Sequence, residues 1–316
     1  MTDKKVWFIT GASSGFGKAF AEYAIGQGYN VVVTARRADK LDAIRALAPA
    51  QVEAIRMDVT NSAAIAAAAE QAIGRFNRID VLINNAGVIE VGPFQQMTRA
   101  DYQNAMATHL WGSLNTIRSV VPYMRQNQSG RIVNISSIGG KVGVPHLLPY
   151  TISKFALAGL SQGLAAELAR DRIRMTAVYP GLMRTGSHVN ARFRGNYRGE
   201  YAWFSIAAGM PIVSIHSQRA ANKIVEACRN GKTELIITPA AKLAALINAV
   251  APSLMTRSLQ LTNAILPAPN TDASQHSGWE STSKWSPSPL TRLADQAIAR
   301  NNEDGLSEEL PNAYTQ

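Results

Sequence analysis

One unit recurs along this chain: a short apolar, β-branched run, a stop in Gly, Asn, Asp, Ser or Pro, then a stretch long enough for a helix. VWFIT (6–10), VVVT (31–34), VEAIRMDV (52–59), DVLINNAG (80–87), RIVNIS (131–136), MTAVYP (175–180) and LIITP (235–239) are seven such runs. Strands separated by helices pair in parallel, because the crossover returns the chain to the same end of the sheet. The expected fold is α/β, a doubly wound seven-stranded parallel sheet. Ligands of such sheets bind outside the carboxyl ends of the strands, so the residues that follow each run are the ones to inspect.

After the first run, TGASSGFGKAF turns sharply into a helix expected to reach about Gln27. Gly11, Gly15 and Gly17 let backbone approach backbone, and the helix N-terminus offers N–H groups to a diphosphate. After the second run stand Arg36 and Arg37, where a ribose 2′-hydroxyl pattern would place an acid. Two guanidiniums suit a 2′-phosphate, which favours NADP(H) over NAD(H). Asp58 and Val59 end the third run and suit an adenine edge. Asn61 or Ser62 would cap the alanine-rich helix that follows. A long helical region is expected from about Thr98 to Asn127.

The fifth run ends at Ser136 and Ser137, and a helix beginning at Pro149 carries Tyr150 and Lys154. Positions i and i+4 share a helix face, so phenol and ammonium point into one space. Tyrosine has a pKa of about 10, and moving it about three units takes roughly 4 kcal/mol of preference for the phenolate. A cation about 4 Å away at an effective dielectric of about 20 supplies a similar amount. Lys154 is expected to be that cation, with a serine hydroxyl holding the substrate oxygen.

Taken in order, TGASSGFG (10–17), DV (58–59), NNAG (84–87), SSIGG (136–140), YTISK (150–154) and PGLMRT (180–185) resemble the short-chain dehydrogenases/reductases over roughly residues 4–240. The resemblance implies a Rossmann-type fold and an oxidoreductase that interconverts a secondary alcohol and a ketone, or reduces an aldehyde. It implies that Ser137, thirteen residues before Tyr150, orients the substrate oxygen while Ser136 faces structure. Tyr150 would be the acid/base and also touch the cofactor, and Lys154 would also bind the nicotinamide ribose. Gly11, Ser13, Ser14, Gly15, Phe16 and Gly17 would cradle the cofactor, with Asn84, Ala86, Gly87, Pro180 and Gly181 beside it. Thr185 would hold the carboxamide. Two positions depart from the family pattern. His109 stands where a helix asparagine usually anchors a proton-relay water, and it is expected to substitute there, with activity falling in acid. Ser14 stands where NADP-using members often carry a base, leaving discrimination to Arg36 and Arg37.

Residues 185–212 are the expected substrate lid, with Phe193, Tyr197, Tyr201, Trp203 and Phe204 as an aromatic wall. Arg192, Arg194 and Arg198 either solvate that lid or favour an acidic substrate. Residues 1–240 would be the catalytic domain, and 241–316 an extension packed on it: two apolar-faced helices around Pro252, a Pro/Ser-rich linker with Trp279 and Trp285, and a last amphipathic helix.

With 46% hydrophobic and 17% charged residues the chain is globular. It enters a strand at once, and its longest uncharged stretch near the end, 243–256, holds a proline, so neither a signal peptide nor a membrane span is expected. Cys228 is the sole cysteine and the five histidines lack ligand spacing, which argues against a structural metal and for a cytoplasmic protein. The net charge of +10 is dispersed, which suits an anionic cofactor and argues against nucleic acid. A homo-oligomer is expected, with the Tyr150 helix as an interface. Two other functions compete: a lyase or epimerase on the same scaffold, and a nucleotide-sensing binding protein. Retention of Ser137, Tyr150 and Lys154 favours catalysis.

Overall fold

The structure is a computed structural model and describes residues 4–210 and 214–303. Val6–Thr10 (β1), Asn30–Ala35 (β2), Val52–Arg56 (β3), Val81–Asn84 (β4), Gly130–Ile135 (β5), Ile173–Pro180 (β6) and Glu234–Ile237 (β7) form an all-parallel sheet. Its order is β7-β6-β5-β4-β1-β2-β3. The helices are α1 (Gly15–Gly26), α2 (Ala38–Leu47), α3 (Ser62–Phe76), α4 (Arg99–Met106), α5 (Gly112–Gln126) and α6 (Leu148–Glu167). They continue with α7 (Tyr197–Gly209), α8 (Ser217–Arg229), α9 (Pro239–Val250), α10 (Pro252–Ile265) and α11 (Arg292–Arg300).

Both faces of the sheet are covered, which is why its strands read as unbroken apolar runs. Side chains still alternate. Trp7, Ile9, Val31, Val33 and Ile83 pack beneath α1, α2 and α8, around Phe20 and Ile224. Val6, Phe8, Val32 and Leu82 pack on the other face beneath α3, α5 and the end of α6, around Ile65, Val120 and Met124. Each such side chain buried contributes about 1.5–3 kcal/mol relative to exposure. The chain leaves β1 toward one face and β4 toward the other. Those two strands are neighbours, so a crevice opens at their carboxyl ends.

Three local expectations are refined. β3 stops at Arg56 rather than running to Val59, because the Asp58 carboxylate turns the chain by accepting from the Thr60 N–H and hydroxyl. Asn61, not Ser62, caps α3, accepting from Ala64 N. The helical region from Thr98 is divided: Thr98 and Asp101 form a capping box on α4, and a π-helical turn at Ala107–Trp111 separates α4 from α5. Residues 211 and 212 of the expected lid, and 304–316 of the extension, lie outside the described residues.

Candidate active site

The glycine turn after β1 is tightly built. Gly11 has φ +65°, and a Cβ there would stand 2.7 Å from Ala86 Cα. A Cβ on Gly17 would stand 2.1 Å from Gly11 O. The turn is tied to the end of β4 by two residues that sequence reading passed over. Thr10 Oγ1 accepts from Asn85 N and Ala86 N, while Asn85 Nδ2 donates to Thr10 O and Gly11 O. Asn85 lies inside the NNAG motif, which by itself carries no sign of this role. Asn84 Nδ2 donates to Asn134 Oδ1, and Asn134 Nδ2 to Ser161 Oγ, a buried polar chain under the site.

Arg36 is exposed, whereas Arg37 folds over the glycine turn. Its Nη2 lies 3.2 Å from Ser13 Oγ and 3.0 Å from Ser14 Oγ. A guanidinium thus reaches the turn at Ser14 from the end of β2. Val59 is buried against Gly112, Phe16 packs on Phe20, and Asp58 ends in its own turn. Pro180 closes β6, and Gly181 N reaches Ile237 O. Thr185 is buried, its hydroxyl donating to Ser187 Oγ.

At the end of β5, Ser136 Oγ donates to Lys154 O and so serves structure. Ser137 caps the short turn 138–140, its Oγ accepting from Gly139 N. That turn lies directly on α6, since a Cβ on Gly140 would stand 2.7 Å from Lys154 O. Pro149 sits in the first turn of α6, and Tyr150 and Lys154 share the face toward Ser137. Lys154 Nζ donates to Ile135 O at 2.8 Å and lies 5.4 Å from the centre of the Tyr150 ring.

The electrostatics differ from the sequence expectation. Burial pushes the Tyr150 phenol up, against a hydrogen bond with Ser137 that pulls it down. Burial also lowers Lys154 from 10.5 to about 7. Desolvation outweighs the charge attraction estimated from helix spacing, and the phenol here stays protonated.

His109 is fully buried beside Tyr150, ring edge to face at 5.5 Å. Its Nε2 accepts from Val88 N at 3.1 Å, so Nδ1 carries the proton and faces Ser153 Oγ at 2.7 Å. Both nitrogens are committed, leaving neither to anchor a relay water in this arrangement. Burial, helped by the Lys154 charge, holds its pKa well below 6.5, which removes the expected acid titration. A Cβ on Gly87 would stand 2.9 Å from His109 Nε2, which accounts for that glycine.

The lid's aromatics are mostly core. Phe193, Tyr201 and Phe204 are buried with Val91 and Leu147, and Tyr150, Tyr197 and Trp203 pack against them. Arg194 pairs with Asp101 at 2.8 Å, Arg192 donates to Gln275, and Arg198 covers the Tyr197 ring. Two of the three lid arginines are therefore tied to the chain itself. Among the described residues no cluster of His, Cys, Asp or Glu has the make-up of a metal site, and no helix is long and apolar enough to cross a membrane.

The donor set fits a dinucleotide: a glycine turn that no Cβ could enter, a helix N-terminus, and a guanidinium beside them. The space over Gly15 is taken by the chain's own residues 301–303, with Gly15 N donating to Asn301 O.

Residues 5–194 match the family model described as short chain dehydrogenase. A 3-ketodihydrosphingosine reductase of Bacteroides thetaiotaomicron is 40% identical over 183 residues, 58% of this chain and 65% of that protein. An oxidoreductase of Botryotinia fuckeliana is 36% identical over 57% of this chain and 66% of its own length. The chain thus spans just under two thirds of these relatives. A solved short-chain dehydrogenase from Streptomyces avermitilis superposes with a TM-score of 0.70 at 34% identity, covering 83% of this chain and 99% of that one. A metagenomic short-chain oxidoreductase solved with NADP is 36% identical, with a TM-score of 0.54, over 57% and 84% of the two chains.

Proposed function

The chain belongs to the short-chain dehydrogenases, and from that premise we propose that it is an NADP(H)-dependent reductase of a ketone or aldehyde carried on an apolar frame. The observation that carries this is the convergence of Ser137, Tyr150 and Lys154 at the carboxyl end of β5. The dinucleotide supplies the hydride when bound. Ser137 Oγ orients the substrate oxygen, and Tyr150 gives that oxygen its phenolic proton. Lys154, fixed by the Ile135 carbonyl, faces the phenolate left behind. His109 is a positioning residue that holds Val88 and Ser153 around Tyr150.

A phenol kept protonated by burial is in the form that reduction consumes. Oxidation consumes the phenolate instead, so its rate is expected to rise with pH. The apolar flank of Tyr150 and the pairing of Arg194 and Arg192 support an apolar substrate over an acidic one. The relatives' names agree: a ketodihydrosphingosine reductase, a 3-oxoacyl-[acyl-carrier-protein] reductase of Thermotoga maritima and a hydroxysteroid dehydrogenase of Mycobacterium tuberculosis. Arg37 over the glycine turn and the NADP-bound neighbour support NADP(H). We also take 1–240 as the catalytic body and 241–316 as an extension, and infer a homo-oligomer in which exposed Ile152 and Phe155 of α6 are covered.

The test is oxidation of NADPH and of NADH by the purified protein against apolar ketones, aldehydes and charged keto acids. Turnover with NADPH and apolar ketones foremost is expected. NADPH bound without turnover on any carbonyl would contradict the reading and favour a sensor.

A further inference from the structure

The last described turn of the chain is seated where the proposed cofactor's diphosphate belongs. α11 buries Ala294, Ala297 and Ile298, and Ile298 Cα lies so close to Gly186 that a Cβ on that glycine would stand 2.7 Å away. From this anchor, residues 300–303 run across the cradle, presenting acceptors to its donors. Arg300 O receives Lys18 Nζ at 3.0 Å, Asn301 O receives Gly15 N at 2.8 Å, and Asn302 Oδ1 receives Lys40 Nζ at 2.9 Å. Asn302 Nδ2 donates to Ser13 O. Glu303 is buried, its Oε1 2.8 Å from where a Cβ on Gly15 would stand and its Oε2 2.8 Å from Asn190 Nδ2. The segment also clasps the far side of the site, with Asn301 Nδ2 donating to Thr185 O and Ser217 Oγ to Asn301 Oδ1.

Three carbonyl-type oxygens met by a helix N–H and two ammonium groups, with the Glu303 carboxylate over Gly15 held by Asn190 Nδ2, resemble the oxygens of a diphosphate at such a turn. We propose that the glycine cradle is also the binding site of the chain's own segment 300–303, with Glu303 standing in for a phosphate, so that segment and dinucleotide exclude one another. The proposal rests on the reading of the cradle as a cofactor site. The same segment joins the glycine turn to Thr185 and Asn190. A competitor docked nine-tenths of the time weakens apparent cofactor affinity about tenfold.

The test uses the full chain. NADPH and 2′,5′-ADP are titrated calorimetrically into the wild type, Glu303→Gln and Asn301→Ala, and amide hydrogen exchange of residues 292–303 is followed in the wild type with and without NADPH. Each variant is expected to bind both ligands about tenfold more tightly, and exchange across 292–303 is expected to rise when NADPH binds. Equal or weaker binding by the variants, with 292–303 more protected by NADPH, would overturn the competition and make the segment a clasp on the cofactor. No binding of either ligand by any of the three proteins would overturn the cofactor reading together with it. The exchange measurement decides the matter even where a variant fails to fold.

Discussion

Tyr150 and Lys154 show what spacing tells and what it leaves out. Four residues on a helix place phenol and ammonium on one face, and the structure has them there. Spacing carries no information on solvent, so the direction of their pKa shifts was not legible. Ser137 could be separated from Ser136 only by its distance to Tyr150, and the Ser136 hydroxyl is spent on Lys154 O. His109 was visible as a departure, but its neutrality follows from burial and from Val88 and Ser153, neither of which marks itself in the chain. At Arg36 and Arg37 the sequence reading concerns affinity. Replacing both by Ala is expected to weaken NADPH binding about 10- to 100-fold, the scale of one or two charge-assisted hydrogen bonds, and NADH binding much less. Titration of both cofactors into the double variant checks this, and equal losses would remove the basis for the NADP(H) assignment.

At the scale of elements, the strands were legible because covered strands are apolar runs with clear stops. The π turn at Ala107–Trp111 was not, since hydrogen-bond register within a helix leaves no compositional trace. Nor were the short strands Glu90–Val91, Arg192–Phe193 and His276–Ser277, which pair across long stretches of sequence. Within that small sheet, Glu90 is buried against Asn104 with Asp101, Arg192 and Arg194 nearby, and its pKa is raised from 4.5 to about 7, chiefly by burial. A carboxyl with a raised folded pKa favours folding below the unfolded value, and the benefit is lost as pH climbs through the folded value. The wild type should therefore lose about 3 kcal/mol between pH 4.5 and 8 through this group, at 1.36 kcal/mol per unit. Glu90→Gln should flatten that slope in urea unfolding at the two pH values. Parallel slopes would mean that Glu90 is not held protonated.

Across the whole molecule, the sheet and its crevice were readable, and the extension was readable only as helices. α9 and α10 meet around Pro252 as expected, yet of their side chains only Ala241 and Met255 are buried, and Leu243, Leu246, Val250, Leu261 and Ile265 face solvent. α11 docks instead, and its end reaches a turn some 280 residues earlier in the chain, joined by Lys18 to Arg300 O. Amphipathic patterning shows that such a helix needs a partner but not which surface it finds. The central claim concerns Tyr150, against which the buried lid aromatics pack. The most direct test is Tyr150→Phe, assayed for reduction with NADPH and, separately, for NADPH binding. Loss of the proton carrier should lower kcat by about a hundredfold or more while leaving the dissociation constant within about twofold. Substantial residual reduction at normal affinity would contradict the assignment of Tyr150 as the proton carrier.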